Sequence, residues 1–479
     1  MGTRRLVVIP ARFQPVLAEL APLSDRFRAA GHRLYLVGGT VRNLLAAEST
    51  SDELDDFDAT TDAKPEQIKA LLSGWADAIW TPGERFGTIG AKKKGPHGDR
   101  TYEITTHRAE AYNDDSRKPV VEFSDDINLD LSRRDFTINA MALELTSDSP
   151  TLVDPFSGAV DLATRTLRTP LAPEVSFGDD PLRMLRAARF IARLGVVPVP
   201  ELVEAVRAMA GRLEIVSAER VRDELDKLIT LPSPSAGLWF TIETGLCDHF
   251  LPELPAMRLE QDPIHRHKDV LTHTLAVVEN VKPDAQAEFD FRRTRLAALF
   301  HDVGKPRTRG YLKGKGVTFH HHDAVGARMT RKRLEALRYS NDDVEAITEL
   351  VALHLRFHTY AMGWTDSAVR RYVRDAGPLL QELNVLTRCD CTTRNEKKAA
   401  MLSGRMDDLE ARIAVLAEKE ELAAIRPELD GSQVMEQLGI KPGPMVGKAL
   451  SFLLEIRLDE GMLGETEIRR RLDEWAKAR

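Results

Sequence analysis

LVGGTVRNLLAAESTSDELDDFDATTD, residues 36–62, packs a strand end, a glycine turn, a helix and a second strand into one short span. Leu34–Val37 has the pattern of a short strand. Gly38 and Gly39 then let the backbone turn tightly and come close to a ligand. Thr40 to Ala47 reads as the start of a helix, whose unpaired N–H groups suit an anion. Asp55–Asp58 reads as a second strand, and residues two apart on a strand share a face. Asp56 and Asp58 are therefore predicted to stand together while Phe57 turns to the core. Paired carboxylates call for a cation, and Mg²⁺ held by carboxylates and substrate phosphates is the natural occupant. Taken singly, Gly-Gly is usually a turn and D-x-D a solvated strand end. Combined in this order, a phosphate cradle and a carboxylate pair are the minimum equipment for nucleotidyl transfer with two metal ions.

Around this span lies a chain of 479 residues, long enough for several domains, since single cores rarely grow past about 250–300 residues. No apolar run reaches the roughly 18 residues of a membrane span, and MGTRRLVVIPARF is too soon interrupted for a signal peptide. Cys247, Cys389 and Cys391 provide no disulfide framework and no C-x-x-C pair, which predicts a reducing cytoplasmic setting without structural zinc. The net charge of −7 argues against indiscriminate coating of nucleic acid. It leaves room for local basic tracks, for which Arg292–Arg295, Lys305–Lys315 and Arg328–Arg338 are the candidates.

GGTVRN followed by DDFDATT resembles the head motif of the polymerase-β-like nucleotidyltransferases. Within these it is similar to the class II tRNA nucleotidyltransferase and bacterial poly(A) polymerase family. Moving outward, Ala91–Gly98 reads as a hairpin tip and Thr101–Thr105 as the returning strand. Locally, Glu103 is a half-buried strand glutamate; TYEITTHR matches the family segment that carries a third carboxylate. Ala109–Asp130 is polar and reads as a loop, where the family has a mobile element that helps switch nucleotide choice. RRDFTINA, residues 133–140, matches a specific family motif. The resemblance then has Arg134 and Asp135 contact triphosphate and ribose, arginine suiting phosphate through its planar fork.

In GDDPLRMLRAARF, residues 178–190, Pro181 and the aspartates suit a helix N-terminus, and Asp180 and Arg183 share one face. By itself this is an i,i+3 ion pair. In the family, the same D-x-x-R element reads the base edges of CTP and ATP, with Arg186 assisting. Two departures stand out: Asn43 replaces the family's aspartate and is expected to orient Arg42, and Asp179-Asp180 replaces Glu-Asp.

Beyond about residue 255, His273, His301-Asp302, His322, His354 and Asp390 follow in the order of the HD phosphohydrolase domain. The resemblance implies His273, His301, Asp302 and Asp390 as the main shell of a divalent transition metal. His322 and His354 would hold a second ion, and Lys305 would contact phosphate. Read without the resemblance, these are satisfied polar side chains of a structural domain.

The expected architecture is α+β: a polymerase-β-like head with a small mixed sheet (1–165), then all-helical neck (166–255), HD (256–400) and tail (401–479) domains. The resemblance implies template-independent addition of CCA to tRNA 3′ ends from CTP and ATP. Asp56 and Asp58 would hold Mg²⁺, Glu103 would complete the catalytic site, and Gly38, Gly39, Arg42, Arg134, Asp135, Asp180, Arg183 and Arg186 would bind nucleotide. Poly(A) synthesis and partial A- or C-addition are the rivals within the family; Glu84, where poly(A) polymerases are more basic, favours CCA addition. From another class, the rival is a metal-dependent phosphohydrolase that uses the head to bind RNA.

Overall fold

A computed structural model describes residues 10–47, 56–81, 83–95, 98–108, 123–259, 269–284, 286, 288–312, 316–392, 396–420 and 426–478. Asp55, residues 109–122 of the expected loop, and Pro96 and His97 of the expected hairpin tip lie outside these. So do Lys313–Lys315. The chain forms two compact units, residues 1–217 with 236–249, and residues 218–235 with 250–479.

The first unit is built on a seven-stranded mixed sheet, ordered β3-β4-β5-β2-β1-β6-β7. In chain order its elements begin with α1 (Gln14–Ala29), β1 (Leu34–Val37), α2 (Gly39–Ala46), β2 (Asp56–Thr61), α3 (Pro65–Leu72) and β3 (Ala78–Trp80). They continue with β4 (Thr88–Gly95), β5 (Gly98–Thr106), α4 (Ile127–Ser132), β6 (Ala142–Glu144) and β7 (Thr151–Val153). The pair β2·β5 is parallel, and the other neighbours are antiparallel. The expected hairpin tip is shorter than the sequence suggested: Ala91–Lys94 remain paired strand residues.

Alternation fixes the two faces. Leu34, Leu36, Phe57, Ala59, Ile89, Ala91, Tyr102 and Ile104 turn to one side and are buried against α1, α2 and α3. Phe57 stacks on Tyr102, with ring centroids 5.4 Å apart. The opposite face has a small apolar patch, Tyr35 and Val37 against Ile127 and Leu131. The rest of that face carries the polar groups of the site.

Following the sheet are α5 (Gly158–Ala163), β8 (Thr166–Leu167), α6 (Pro173–Asp179), α7 (Leu182–Leu194) and β9 (Val197–Pro198). The remainder of the chain is mostly helical, as expected, but not wholly so. Strands β8 and β9 pair in parallel, and Arg309–Leu312 pairs with Gly316–Phe319 as a hairpin. Among the described residues no helix is long and apolar enough to cross a membrane.

The basic run 292–295, read from sequence as an RNA track, is used internally. Arg292 and Arg293 pair with Asp343 at 2.8 and 2.7 Å. Arg295 is fully buried and donates to the carbonyls of Val281, Ile229 and Leu231. A buried guanidinium with carbonyl partners is a structural brace, not a surface for phosphates.

Candidate active site

Strand β1 delivers the chain to Gly38, which caps α2 with φ +73°. A Cβ there would lie 3.4 Å from Asp58 Oδ2 and 3.5 Å from Arg134 Nη1. Glycine therefore serves both the left-handed turn and the close approach to a carboxylate and a guanidinium. Gly38→Ala is expected to raise the KM for nucleotide about 10-fold or more, because strain of order 1–3 kcal/mol falls on the cradle itself; titration of nucleotide binding checks this.

Asp56 and Asp58 are exposed on the polar face of β2, while Phe57 is buried. Asp58 sits opposite Glu103 in the parallel β2·β5 register. The protein crowding around Asp58 and the charge of Asp56 raise its carboxyl pKa, while Arg134 pulls it back. Glu103 is raised by the same crowding and by the charges of Asp58 and Asp56. The three carboxylates lie on adjacent strands and their charges repel one another, and oxygen donors of this kind suit a hard divalent cation such as Mg²⁺, although their oxygens are not drawn within 4.8 Å of one another as those of the histidine-aspartate groups are.

Beside Asp58 opens a cavity of about 410 Å³, lined by Gly38, Gly39, Asp180 and five arginines: Arg42, Arg134, Arg183, Arg186 and Arg193. Their positions are fixed from behind. Arg42 donates to Asn43 and Asn139, so Asn43 orients Arg42. Arg183 donates to Ser176 and to the carbonyl of Arg133, rather than serving only as an i,i+3 partner for Asp180. Arg134 pairs with Asp130 at 3.3 Å while its buried Nε has no hydrogen-bond partner. Phe190 lies under Arg42, Arg186 and Arg189, their guanidinium carbons 5.4, 5.9 and 4.6 Å from its ring centre.

Asp135 lines the same cavity, but its oxygens are already engaged. Oδ1 accepts from Phe136 N and Asn139 Nδ2, and Oδ2 accepts twice from Arg186. Burial alone would raise this carboxyl; Arg186 and the amide donors more than offset it and hold it at about 2. Its first role is to aim Arg186. Asp135→Asn is expected to lower stability by about 1.5–3 kcal/mol at neutral pH, as a charged hydrogen-bond acceptor is lost. A depressed carboxyl stabilises above its unfolded pKa of about 3.9 and ceases to as pH falls through the folded value. The gap between wild type and variant in thermal melts should therefore close between pH 4 and 2.

Sequence reading missed Phe190 and Arg193. Their signal was present: 183, 186, 190 and 193 recur at helical spacing and place one face of α7 on the cavity.

The second unit brings together all six HD-pattern residues. His273 Nε2 is 2.9 Å from Asp390 and 3.7 Å from Asp302. His301 Nε2 is 3.2 Å from Asp302, His322 Nε2 is 3.4 Å, and Lys305 Nζ is 2.7 Å. His354 joins Asp302 and His322 in a second cluster. His358 Nε2, four residues beyond His354 and not among the expected ligands, reaches 3.6 Å from Asp390.

Each of His301, His322 and His354 donates Nδ1–H to a carbonyl three residues earlier, of Ala298, Phe319 and Val351. That orients each ring so that a buried Nε2 turns into the cluster without a well-directed hydrogen bond, those of His301 and His322 lying at ion-pair distance from Asp302. Burial and the neighbouring His301 push His354 down to about 4. Burial would also lower His301, but Asp302 and Asp390 push it up to about 9. This donor set of imidazoles and carboxylates fits a divalent transition metal. The surrounding cavity, about 1060 Å³, also exposes Lys305, Arg388, Lys398 and Arg405.

Three segments match known families: residues 34–168 the "Poly A polymerase head domain", 198–257 the "Probable RNA and SrmB- binding site of polymerase A", and 270–422 the "HD domain". An A-adding tRNA nucleotidyltransferase of Deinococcus radiodurans is 38% identical over 363 residues, 73% of this chain and 79% of that one. A CCA-adding enzyme of Streptococcus pyogenes is 28% identical over 460 residues, 96% of each chain. The solved structure of the Bacillus stearothermophilus CCA-adding enzyme in complex with CTP shares the fold, with a TM-score of 0.67 over 98% of each chain at 24% identity. With a relative 38% identical over 73% of its length and segments matching the head, RNA-binding and HD families, the chain belongs to the poly(A) polymerase/tRNA nucleotidyltransferase family.

Proposed function

We propose that this chain completes tRNA 3′ ends by adding CCA from CTP and ATP without a nucleic-acid template. One observation carries the reading: Asp58, two residues from Asp56 on β2 and opposite Glu103, borders a cavity with five arginines and a glycine-capped helix. The arginines suit a triphosphate, and the glycine cap lets it approach the backbone. Magnesium, when held by Asp56, Asp58 and Glu103, supplies positive charge at the α-phosphate and lowers the pKa of the attacking RNA hydroxyl. Arg134 and Arg186 then hold the phosphates, and Asp135 keeps Arg186 aimed. Asp180 and Arg183 offer an acceptor and donors to the base edge, so protein side chains select the nucleotide. Relatives named for CCA addition span nearly the whole chain and support this reading.

The Deinococcus radiodurans relative, named for A-addition, favours a narrower alternative in which only the terminal A is added. Sequencing the 3′ ends of tRNA lacking CCA, after incubation with the protein, Mg²⁺, CTP and ATP, separates them. Products ending in CCA are expected. Extension of tRNA-CC alone, by one A, would favour the narrower reaction, and long A tails would overturn both.

For the second unit we infer a metal-dependent phosphohydrolase activity, supported by two groups of imidazoles and carboxylates at metal-ligand spacing that share the buried Asp302. A transition metal held there would activate water and polarise a phosphoryl group, and Lys305 would steady that phosphate.

A further inference from the structure

The cavity with five arginines takes one of the two substrates that nucleotidyl transfer needs; the RNA 3′ end needs a place of its own. A second cavity, about 360 Å³, opens on the same sheet face and is lined by Glu103, Trp80, Gly90, Phe86, Thr88 and Arg108. Its volume is in the range, roughly 300–1,000 Å³, that holds a small ligand. Strand register explains how it meets the carboxylates. Trp80 pairs with Gly90, Gly90 with Glu103, and Glu103 with Asp58, so four residues form one row across β3, β4, β5 and β2. Gly90 is what lets the indole lie down in that row: a Cβ at this position would stand 2.1 Å from Trp80 Nε1. Arg108, held by Thr88 at 2.8 Å, borders the same space.

We infer that this cavity binds the 3′-terminal nucleotide of the acceptor RNA, with Trp80 stacking on its base and Arg108 meeting its phosphate. The inference rests on the nucleotidyl-transfer reading above. In that reaction the attacking and leaving oxygens lie roughly in line through the α-phosphorus. The acceptor hydroxyl must therefore arrive at the carboxylates from the side away from the triphosphate. The two cavities border the carboxylate row at Asp58 and at Glu103 respectively. Their chemistry divides accordingly. Many arginines match a triphosphate, whereas an aromatic wall with, among the described residues, one arginine matches one base and one phosphodiester. An indole stacks on any base, which suits an acceptor whose last residue changes after every addition.

The test is steady-state extension with tRNA varied at saturating nucleotide, and then the reverse. Trp80→Ala is expected to raise the KM for tRNA about 10- to 100-fold, on the scale of one lost base–aromatic stack. The KM for nucleotide should stay within about 3-fold, and Trp80→Phe should recover most of the loss. Gly90→Ala, which keeps the indole but displaces it, should reproduce the defect. If Trp80→Ala melts below the assay temperature, Trp80→Leu keeps apolar bulk over Gly90 and replaces it. A readout without turnover uses tRNA with 2-aminopurine as its 3′ nucleotide: its fluorescence should be quenched by the wild type and not by Trp80→Ala. Unchanged KM for tRNA with quenching retained in the variant would overturn the inference, and so would an equal rise in both KM values. A wild type that quenches 2-aminopurine but extends no tRNA would instead refute the reaction assigned to the head.

Discussion

Asp58→Ala is expected to cut nucleotide addition by about 10³-fold or more while leaving tRNA binding within a few-fold of wild type. Asp58 stands where the parts of the head meet: beside the Gly38 turn, opposite Glu103, and at the edge of the arginine-lined cavity. Its loss removes the proposed cation ligand without removing a buried apolar group, so the fold has no reason to fail. The fold should in fact gain. The Asp58 carboxyl is raised because crowding and Asp56 disfavour its charge. A carboxylate with a raised folded pKa costs stability at neutral pH, and the cost vanishes as pH falls below the unfolded value. Cation-free Asp58→Ala protein should melt slightly above wild type near pH 7 and level with it near pH 3. Addition by the variant at near wild-type rate would remove Asp58 from the catalytic site. A lower melting point at neutral pH would refute the account of strained charge. A site built for a cation is an unfavourable place for carboxylates without one, the usual exchange of stability for activity.

What the sequence disclosed, and what it did not, follows the range of the interactions. Asp56 and Asp58 were legible because strand alternation is local, and Gly38 because a left-handed turn demands glycine. Glu103 was not legible from its own surroundings. It joins Asp58 through a parallel pairing of strands distant in sequence, and only the likeness of its segment to a known family pointed there. The row from Trp80 to Asp58 needed three strand registers at once, which no local pattern contains.

The arginines at 292, 293 and 295 failed in the opposite sense: composition suggested a surface, but Asp343 and several backbone carbonyls claim them inside the second unit. The histidines held a signal that was overlooked. His301 and His354 each directly follow a helix, Phe291–Phe300 and Asn341–Leu353. Carbonyls of a last turn lack helical partners, so those of Ala298 and Val351 are available to each Nδ1–H. A histidine set just past a helix is thus oriented by the helix end itself.

Asp302 gives the largest effect expected in the second unit. It is 1% exposed and faces His301, His322 and Lys305 within 3.4 Å. Burial would raise its carboxyl, but these groups hold it well below the usual range. Asp302→Ala leaves buried positive charge without its counter-ion, a change that typically costs about 3–5 kcal/mol. Both partners set the pH window. The Asp302 contribution is present above the unfolded carboxyl pKa and fades as pH drops through its depressed value; that of His301 is present below about 6.5 and fades as pH rises through about 9. The deficit of the variant, read by denaturant melts in chelator, should therefore be greatest between pH 5 and 6 and shrink in both directions. Adding Mn²⁺ or Ni²⁺ should raise the wild-type melting point and leave Asp302→Ala unmoved, because the carboxylate belongs to both groups of candidate ligands. Metal-dependent hydrolysis of phosphomonoesters should vanish with it. Addition to tRNA should persist wherever the variant stays folded, since Asp56, Asp58 and Glu103 belong to the other unit. Asp302→Asn, which keeps the shape and removes the charge, separates folding from chemistry. If it folds well, still gains stability from metal and still hydrolyses phosphomonoesters, Asp302 is a structural counter-ion and the metal assignment falls.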